Sequence, residues 1–264
     1  MIIDSHVHIG NTVFFETPED ILIKSMKKYK IDFGIVSSLD GCEYDPDLNI
    51  IDPKVSKSQY EVSLQTLQFV KKYPDMFKGL IWIKPDTESF TKDLENFMLS
   101  NKDYICGFKT HPYHSKLAIT DKKYAKYLEF ADKHNLPFEI HTAKDIYSKS
   151  EFVYEVAKDY KNINFIMVHL DLWTDNSNAI NLLPKLPNLY GDTTWVSTES
   201  VLKAIKIAGS NKILFGSDSP IDGINTYEKY QDLLKTLKKE LSTDDYENVI
   251  FKNAKKIFNI LNHI

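Results

Sequence analysis

The chain has 264 residues, 42% hydrophobic and 27% charged, with a formal net charge of −4. Aromatic residues at 12% exclude a disordered chain, and the lack of a basic excess gives no footprint for nucleic acid. The length fits one or two ordinary domains or one large barrel.

Cys42 and Cys106 form no CxxC pair and no zinc-ribbon spacing, so a disulfide-stapled secreted domain is not expected and a reducing, cytoplasmic setting is. The N-terminus reaches Asp4 and His6 without a basic stretch or a long apolar run. No run approaches the roughly 20 apolar residues of a membrane helix.

In chain order, eight short apolar runs read as buried parallel strands: Ile2–Ile9, Phe33–Leu39, Phe77–Ile83, Ile105–Thr110, Pro137–Thr142, Phe165–Leu170, Leu189–Trp195 and Ile213–Ser217. Helical patterns lie between them. Thr17-Pro18-Glu19-Asp20 reads as an N-cap, a proline in the first turn and acidic residues on the positive end of the helix dipole. Tyr124, Tyr127, Leu128 and Ala131 share one helix face, as do Phe152, Val156, Ala157 and Tyr160. After the last strand, Asn225 or Thr226 opens a helix carrying Tyr227, Tyr230, Leu234, Leu237 and Leu241. Ile250, Ala254, Ile257, Phe258 and Leu261 mark an extra C-terminal helix. Eight strand–helix units predict an α/β fold, a (β/α)8 TIM barrel spanning 1–264 as a single domain. An open doubly wound sheet is the alternative, but no GxGxxG follows the first strand. Asp40–Pro53 is the longest irregular segment and follows the second strand, where a barrel places an active-site loop.

Chemistry-bearing residues gather at strand ends. Alternation sets Asp4, His6 and His8 on one face of the first strand. His141, His169 and Asp218 end three others, at the barrel face where enzymes of this architecture build their sites. Buried imidazoles and a carboxylate converging from four strands call for a partner, and a divalent metal supplies it. Nitrogen and oxygen ligands without thiolate suit Zn, Mn, Fe or Ni. Lys109 shares a face with His111, and Glu139 lies one layer below His141, where it pairs with Lys109. Asp4 is expected to orient a ligand imidazole. Asp171, Trp173 and Trp195 are candidate substrate walls, and His114 a loop residue near the substrate; His134 and His263 receive no role.

The ordered set D-x-H-x-H at 4–8, His141, His169, G-S-D-x-P at 216–220 and Asn253-Ala254-Lys255-Lys256-Ile257-Phe258 resembles the amidohydrolase superfamily. More narrowly, it resembles the amidohydrolase-related branch that includes aminocarboxymuconate-semialdehyde decarboxylase-like enzymes. The resemblance spans essentially the whole chain. It implies a TIM barrel with one catalytic divalent metal, foremost zinc, held by His6, His8, His141 and Asp218. His169 is then a base or orienting group, or a ligand to a second metal. Asp218 and His169 are the implied catalytic pair, with Lys109, His111 and Trp173 on the substrate. Lys109 is read as a cation contacting an anionic substrate or Glu139 rather than as a carboxylated bridge between two metals.

The leading functional reading is a metal-dependent hydrolase that activates water to cleave an amide, ester or lactone bond in a small molecule. Decarboxylation of a small carboxylic acid on the same site is the alternative. A TatD-type nuclease fits less well, because Lys109 stands where that family has a glutamate and the eighth-strand motif differs. A barrel with a purely structural metal fits least, since such sites usually use cysteine. No nucleic-acid or membrane partner is expected, and a homo-oligomer is compatible with the sequence.

Overall fold

The computed structural model describes residues 1–12 and 14–260. Its strands are β1 (Ile3–Asn11), β2 (Glu16–Thr17), β3 (Phe33–Ser38), β4 (Phe77–Trp82), β5 (Ile105–Thr110), β6 (Phe138–Ala143), β7 (Phe165–Leu172), β8 (Leu189–Asp192) and β9 (Ile213–Leu214). They form one sheet in the order β2-β1-β3-β4-β5-β6-β7-β8-β9, parallel throughout except for the short β1–β2 pairing. Backbone bonds between β1 and the segment after β9 bring the first and last strands together: Ser5 N–H donates to Phe215 O at 2.8 Å, Asp218 N–H to His6 O at 2.9 Å and His8 N–H to Ser219 O at 2.8 Å. The result is the predicted (β/α)8 TIM-barrel fold.

Two apolar layers hold it. The larger packs the outward-facing strand residues, such as Val7, Val36, Phe108 and Met167, against the surrounding helices. The smaller, including Ile3, Phe33, Ile35, Leu80, Ile166, Val168 and Leu214, is joined by Ala254, Ile257 and Phe258 of the C-terminal helical segment. That segment is the predicted extra element; Leu261 and His263 lie outside the described residues. Cys42 and Cys106 are free and buried.

Several local expectations are corrected. The first helix begins at Glu19 with Pro18 as its cap residue, while Thr17 belongs to β2 and its hydroxyl donates to Gly10 O at 2.8 Å. Pairing with β1 therefore takes the hydroxyl that would otherwise cap the helix. The strand expected over Leu189–Trp195 stops at Asp192, and the one expected over Ile213–Ser217 is regular only through Leu214. Beyond those points, side chains share the work with scattered backbone bonds: Thr193 N–H donates to Leu214 O at 3.0 Å, while Thr193 Oγ1 accepts from Gly216 N–H at 3.1 Å. The helix after the last strand is entered earlier than expected, through a 3-10 stretch from Gly223 to Tyr230, before the α-helix Gln231–Glu240. Thr226 lies inside that stretch and donates to Gly223 O. Among the described residues, no helix is long and apolar enough to cross a membrane.

Candidate metal centre and its cavity

His6, His8, Lys109, His111, His141, His169, Trp173 and Asp218 line one cavity of about 610 Å³ at the C-terminal ends of the strands. The residues named from the sequence as metal ligands, catalytic pair and substrate contacts therefore reach the same space. Apolar neighbours on its wall include Phe15, Leu39, Trp82 and Trp195. His6, His8 and Asp218 come closest together: one ligand atom from each lies within 4.8 Å of the others. His141 stands outside this trio, stacked on His111 with ring centroids 3.6 Å apart and 4.7 Å from the ring of His169.

The imidazoles are held through Nδ1. His8 Nδ1 faces the carbonyl oxygen of Ser37 at 3.3 Å, and His169 Nδ1 that of Thr194 at 3.1 Å. A carbonyl only accepts, so His169 Nδ1 carries the proton and its Nε2 keeps its lone pair, whereas His8 Nδ1 also meets the Ser37 hydroxyl at 3.1 Å, which can donate to it. His6 Nδ1 lies 3.3 Å from the Asp192 carboxylate, and its Nε2 accepts from Lys109 Nζ at 3.0 Å. His8 Nε2 is 2.9 Å and His6 Nε2 3.5 Å from Asp218 Oδ1.

Electrostatics fix the charge states. Burial, assisted by Lys109, pushes His6 down to about 3, and burial lowers His169 as well. Burial works to raise Asp218, yet the imidazoles of His6, His8 and His169 hold it well below the usual carboxylate range. The lowered His6 and His169 beside a depressed Asp218 favour the neutral imidazole and anionic carboxylate that a divalent cation requires. On donor type and convergence, His6, His8 and Asp218 fit a metal ion.

Lys109 Nζ lies 3.8 Å from Glu139 Oε2, as alternation along the two strands predicts. Both are buried, and burial pushes Glu139 well up and Lys109 down. Glu139 Oε1 has no hydrogen-bond partner among the described residues.

Two expectations fail. Asp4 does not orient an imidazole: the β1–β3 register shifts between Asp4 and Val7, and the carboxylate takes the His6 backbone N–H at 3.0 Å and the Ser217 hydroxyl instead. Asp171 is not a substrate wall, because it accepts from Ser150 N–H at 3.0 Å and Ser150 Oγ at 2.6 Å at the start of the helix Ser150–Asp159. His114 does line the cavity, with Nδ1 donating to Tyr44 O at 2.7 Å.

The residue missed from sequence is Asp192. Fully buried at the end of β8, it faces His6 Nδ1 and also accepts the His169 backbone N–H at 2.8 Å and the Thr194 hydroxyl at 2.6 Å. Its signal was present: a carboxylate at a strand's C-terminal end, hidden by reading the strand through to Trp195. Gly216 makes room for it, since a Cβ there would meet Asp192 Oδ2 at 2.5 Å. Asp192 also anchors a strained stretch. His169, Leu170 and Asp171 have φ of 69°, 48° and 67°, a left-handed run that non-glycine residues rarely adopt. Asn176 Nδ2 donates to Leu170 O at 2.9 Å across the same stretch.

The sequence matches the amidohydrolase family over residues 3–260. It is 24% identical to an uncharacterized metal-dependent hydrolase of Mycoplasma genitalium over 241 residues, covering 80% of this chain and 87% of that one. The fold is shared with 5-carboxyvanillate decarboxylase of Novosphingobium aromaticivorans, solved with bound manganese (TM-score 0.74, 11% identity, 98% and 97% of the two chains). It is shared also with 2,6-dihydroxybenzoate decarboxylase from Rhizobium (TM-score 0.70, 15% identity, 98% of each chain). The two structural likenesses speak for the fold alone. With the family match covering nearly all of the sequence, the chain belongs to the amidohydrolase family of metal-dependent TIM-barrel enzymes.

Proposed function

We propose that the protein is a metal-dependent hydrolase that cleaves an amide, ester or lactone bond in a small molecule. The observation that carries this reading is the convergence of His6 Nε2, His8 Nε2 and Asp218 Oδ1 at the wall of a cavity large enough for a small organic substrate. These three residues would hold one divalent ion, zinc foremost, with His141 as a fourth ligand. When bound, such an ion polarises a carbonyl and activates water.

The chain's own groups do the rest. His169 presents the unprotonated Nε2, with Nδ1–H fixed on Thr194 O, so it accepts a proton at one defined atom. Asp218 contributes the site's negative charge and shares the proton-accepting role. Lys109 and His111 bind the polar end of the substrate, and Trp173 covers it from the rim. The bound partner is a small molecule in this reading, not a nucleic acid.

Decarboxylation of a small carboxylic acid is the second reading. It is favoured by the solved neighbours, one of them a 2,6-dihydroxybenzoate decarboxylase complexed with its substrate. One experiment tests both. Purified protein loaded separately with Zn(II) and Mn(II) is screened on lactones, esters, amides and aromatic acids, following acid release and CO2 release together. Hydrolysis that disappears in His8→Ala supports the first reading, and CO2 release with no hydrolysis replaces it with the second. Absence of bound metal after loading overturns both.

A further inference from the structure

Asp218 has two oxygens, and the structure treats them differently. Oδ1 faces His8 Nε2 at 2.9 Å and His6 Nε2 at 3.5 Å, while Oδ2 accepts the indole N–H of Trp195 at 2.9 Å. Trp195 is itself held from two sides. Its backbone N–H donates to Tyr230 Oη at 3.1 Å, and that hydroxyl donates to Ser217 O at 3.0 Å, next to Asp218 in the chain. The Lys229 ammonium lies 3.0 Å from the centroid of a Trp195 ring and 2.6 Å from Asp222 Oδ2, so a cation fixes the indole face. Both residues have left-handed backbones, with φ of 59° at Trp195 and 68° at Asp218, and such conformations persist only where the surroundings impose them.

We infer that Trp195 is a positioning residue that selects which oxygen of Asp218 is offered to a metal, fixing that carboxylate as a one-oxygen ligand. A carboxylate ligand adopts one- or two-oxygen binding according to how it is held. The indole N–H engages Oδ2 and pins rotation about the carboxylate's own bond, so only Oδ1 turns toward the imidazoles. With that donor removed, both oxygens are free to turn inward, which raises the number of coordinating atoms. Lys229 acts one step further out, by holding the indole plane.

The inference rests on the proposed ligand role of Asp218, and Co(II) separates the two ideas because its visible absorption reports coordination number. Wild-type protein, Trp195→Phe, Lys229→Met and His8→Ala are each checked for folding by circular dichroism and titrated with Co(II). Trp195→Phe should bind about 10-fold more weakly, the lower end of what loss of a residue supporting a ligand costs, and its visible bands should weaken toward those of a higher-coordinate ion. Lys229→Met should change both properties in the same direction but less. A Trp195→Phe spectrum identical to wild type overturns the inference, whether or not affinity falls, because lost affinity alone marks a merely structural contact. If Trp195→Phe does not fold, Lys229→Met decides by the same criterion. Co(II) binding that His8→Ala abolishes while Trp195→Phe leaves the spectrum unchanged rejects only the role of Trp195. Failure of wild type to bind Co(II), or wild-type binding by His8→Ala, overturns the metal reading and this inference together.

Discussion

The two ends of the barrel interior are built from opposite materials. At the N-terminal end, Ile3, Phe33, Ile35, Leu80, Ile166, Val168 and Leu214 meet Ala254, Ile257 and Phe258, with the Lys78 ammonium on the Phe258 and Asn259 carbonyls at its edge. At the C-terminal end, imidazoles, carboxylates and an ammonium are equally buried and satisfied chiefly by one another. The first arrangement gains free energy from burial, at roughly 25 cal/mol per Å² of apolar surface removed from water. The second spends it on desolvation, which is visible in how far burial displaces Glu139, His6 and Lys109 from their ordinary titration ranges. Stability and chemistry are thus segregated along the barrel axis, and a mutation's effect should depend on which end it strikes.

The most damaging test of that segregation is Phe258→Ala. Phe258 is fully buried in the floor, and its truncation should cost about 3–5 kcal/mol in urea denaturation. Metal stoichiometry of the folded fraction should stay at the wild-type value. A loss of metal in protein that remains folded would show the two ends to be coupled.

Asp218→Asn should do the converse. Turnover on a verified substrate should fall by at least about 10²-fold. The melting temperature of metal-free protein should fall, but by less than for Phe258→Ala, because a carboxylate that the imidazoles favour in the folded state is replaced by a neutral amide of the same size. A large drop in that melting temperature would count against the segregation.

Glu43 offers a pH-dependent version at the mouth end. Burial raises its carboxyl to about 7, while Thr87 N–H and Oγ1 donate to Oε1 at 2.6 and 2.8 Å. The folded state therefore holds a proton that the unfolded chain releases above about 4.5. Stability from this group is full below that pH and is lost as pH rises toward 7, by about 3 kcal/mol in all. Glu43→Gln should be more stable than wild type at pH 8, with the difference shrinking toward pH 5. Parallel stability profiles for the two proteins would refute the assignment.

Gly216→Ala should cost the fold less than Phe258→Ala does. Its new Cβ would crowd Asp192 Oδ2, displacing the carboxylate that holds His6. Metal affinity should weaken about 10-fold, as for loss of a residue supporting a ligand, with about 1–3 kcal/mol of destabilisation from overpacking. Calorimetric titration with Zn(II) measures the first and thermal melting the second.

The contrast between the two ends also explains what the sequence disclosed. Apolar runs such as Phe33–Leu39 announce buried strands directly, and the strand-end rule then places His141, His169 and Asp218 around one cavity. Both inferences depend on periodicity, which is local. Asp192 escaped because it pairs with residues 186 and 23 positions away, and because a strand that ends early looks no different from one that continues. Asp4 misled for a related reason: a register shift within β1 breaks the alternation from which its orientation was read. Trp195 looked like a simple wall because its bond to Asp218 joins the ends of two different strands. Contacts across the barrel, rather than along the chain, carry the fine structure of the site.

The hydrogen bonds that close the barrel have a consequence for biosynthesis. His6 and His8 emerge from the ribosome more than 200 residues before Asp218, yet His6 O and His8 N–H are themselves bonded to Asp218 N–H and Ser219 O. The lips of the seam are the same short segments that carry the convergent trio. A nascent chain can lay down strand after strand without assembling any part of that trio's carboxylate side. Completion of the trio therefore coincides with closure of the cylinder, and a chain terminated anywhere before the last strand is expected to be inactive rather than partly active.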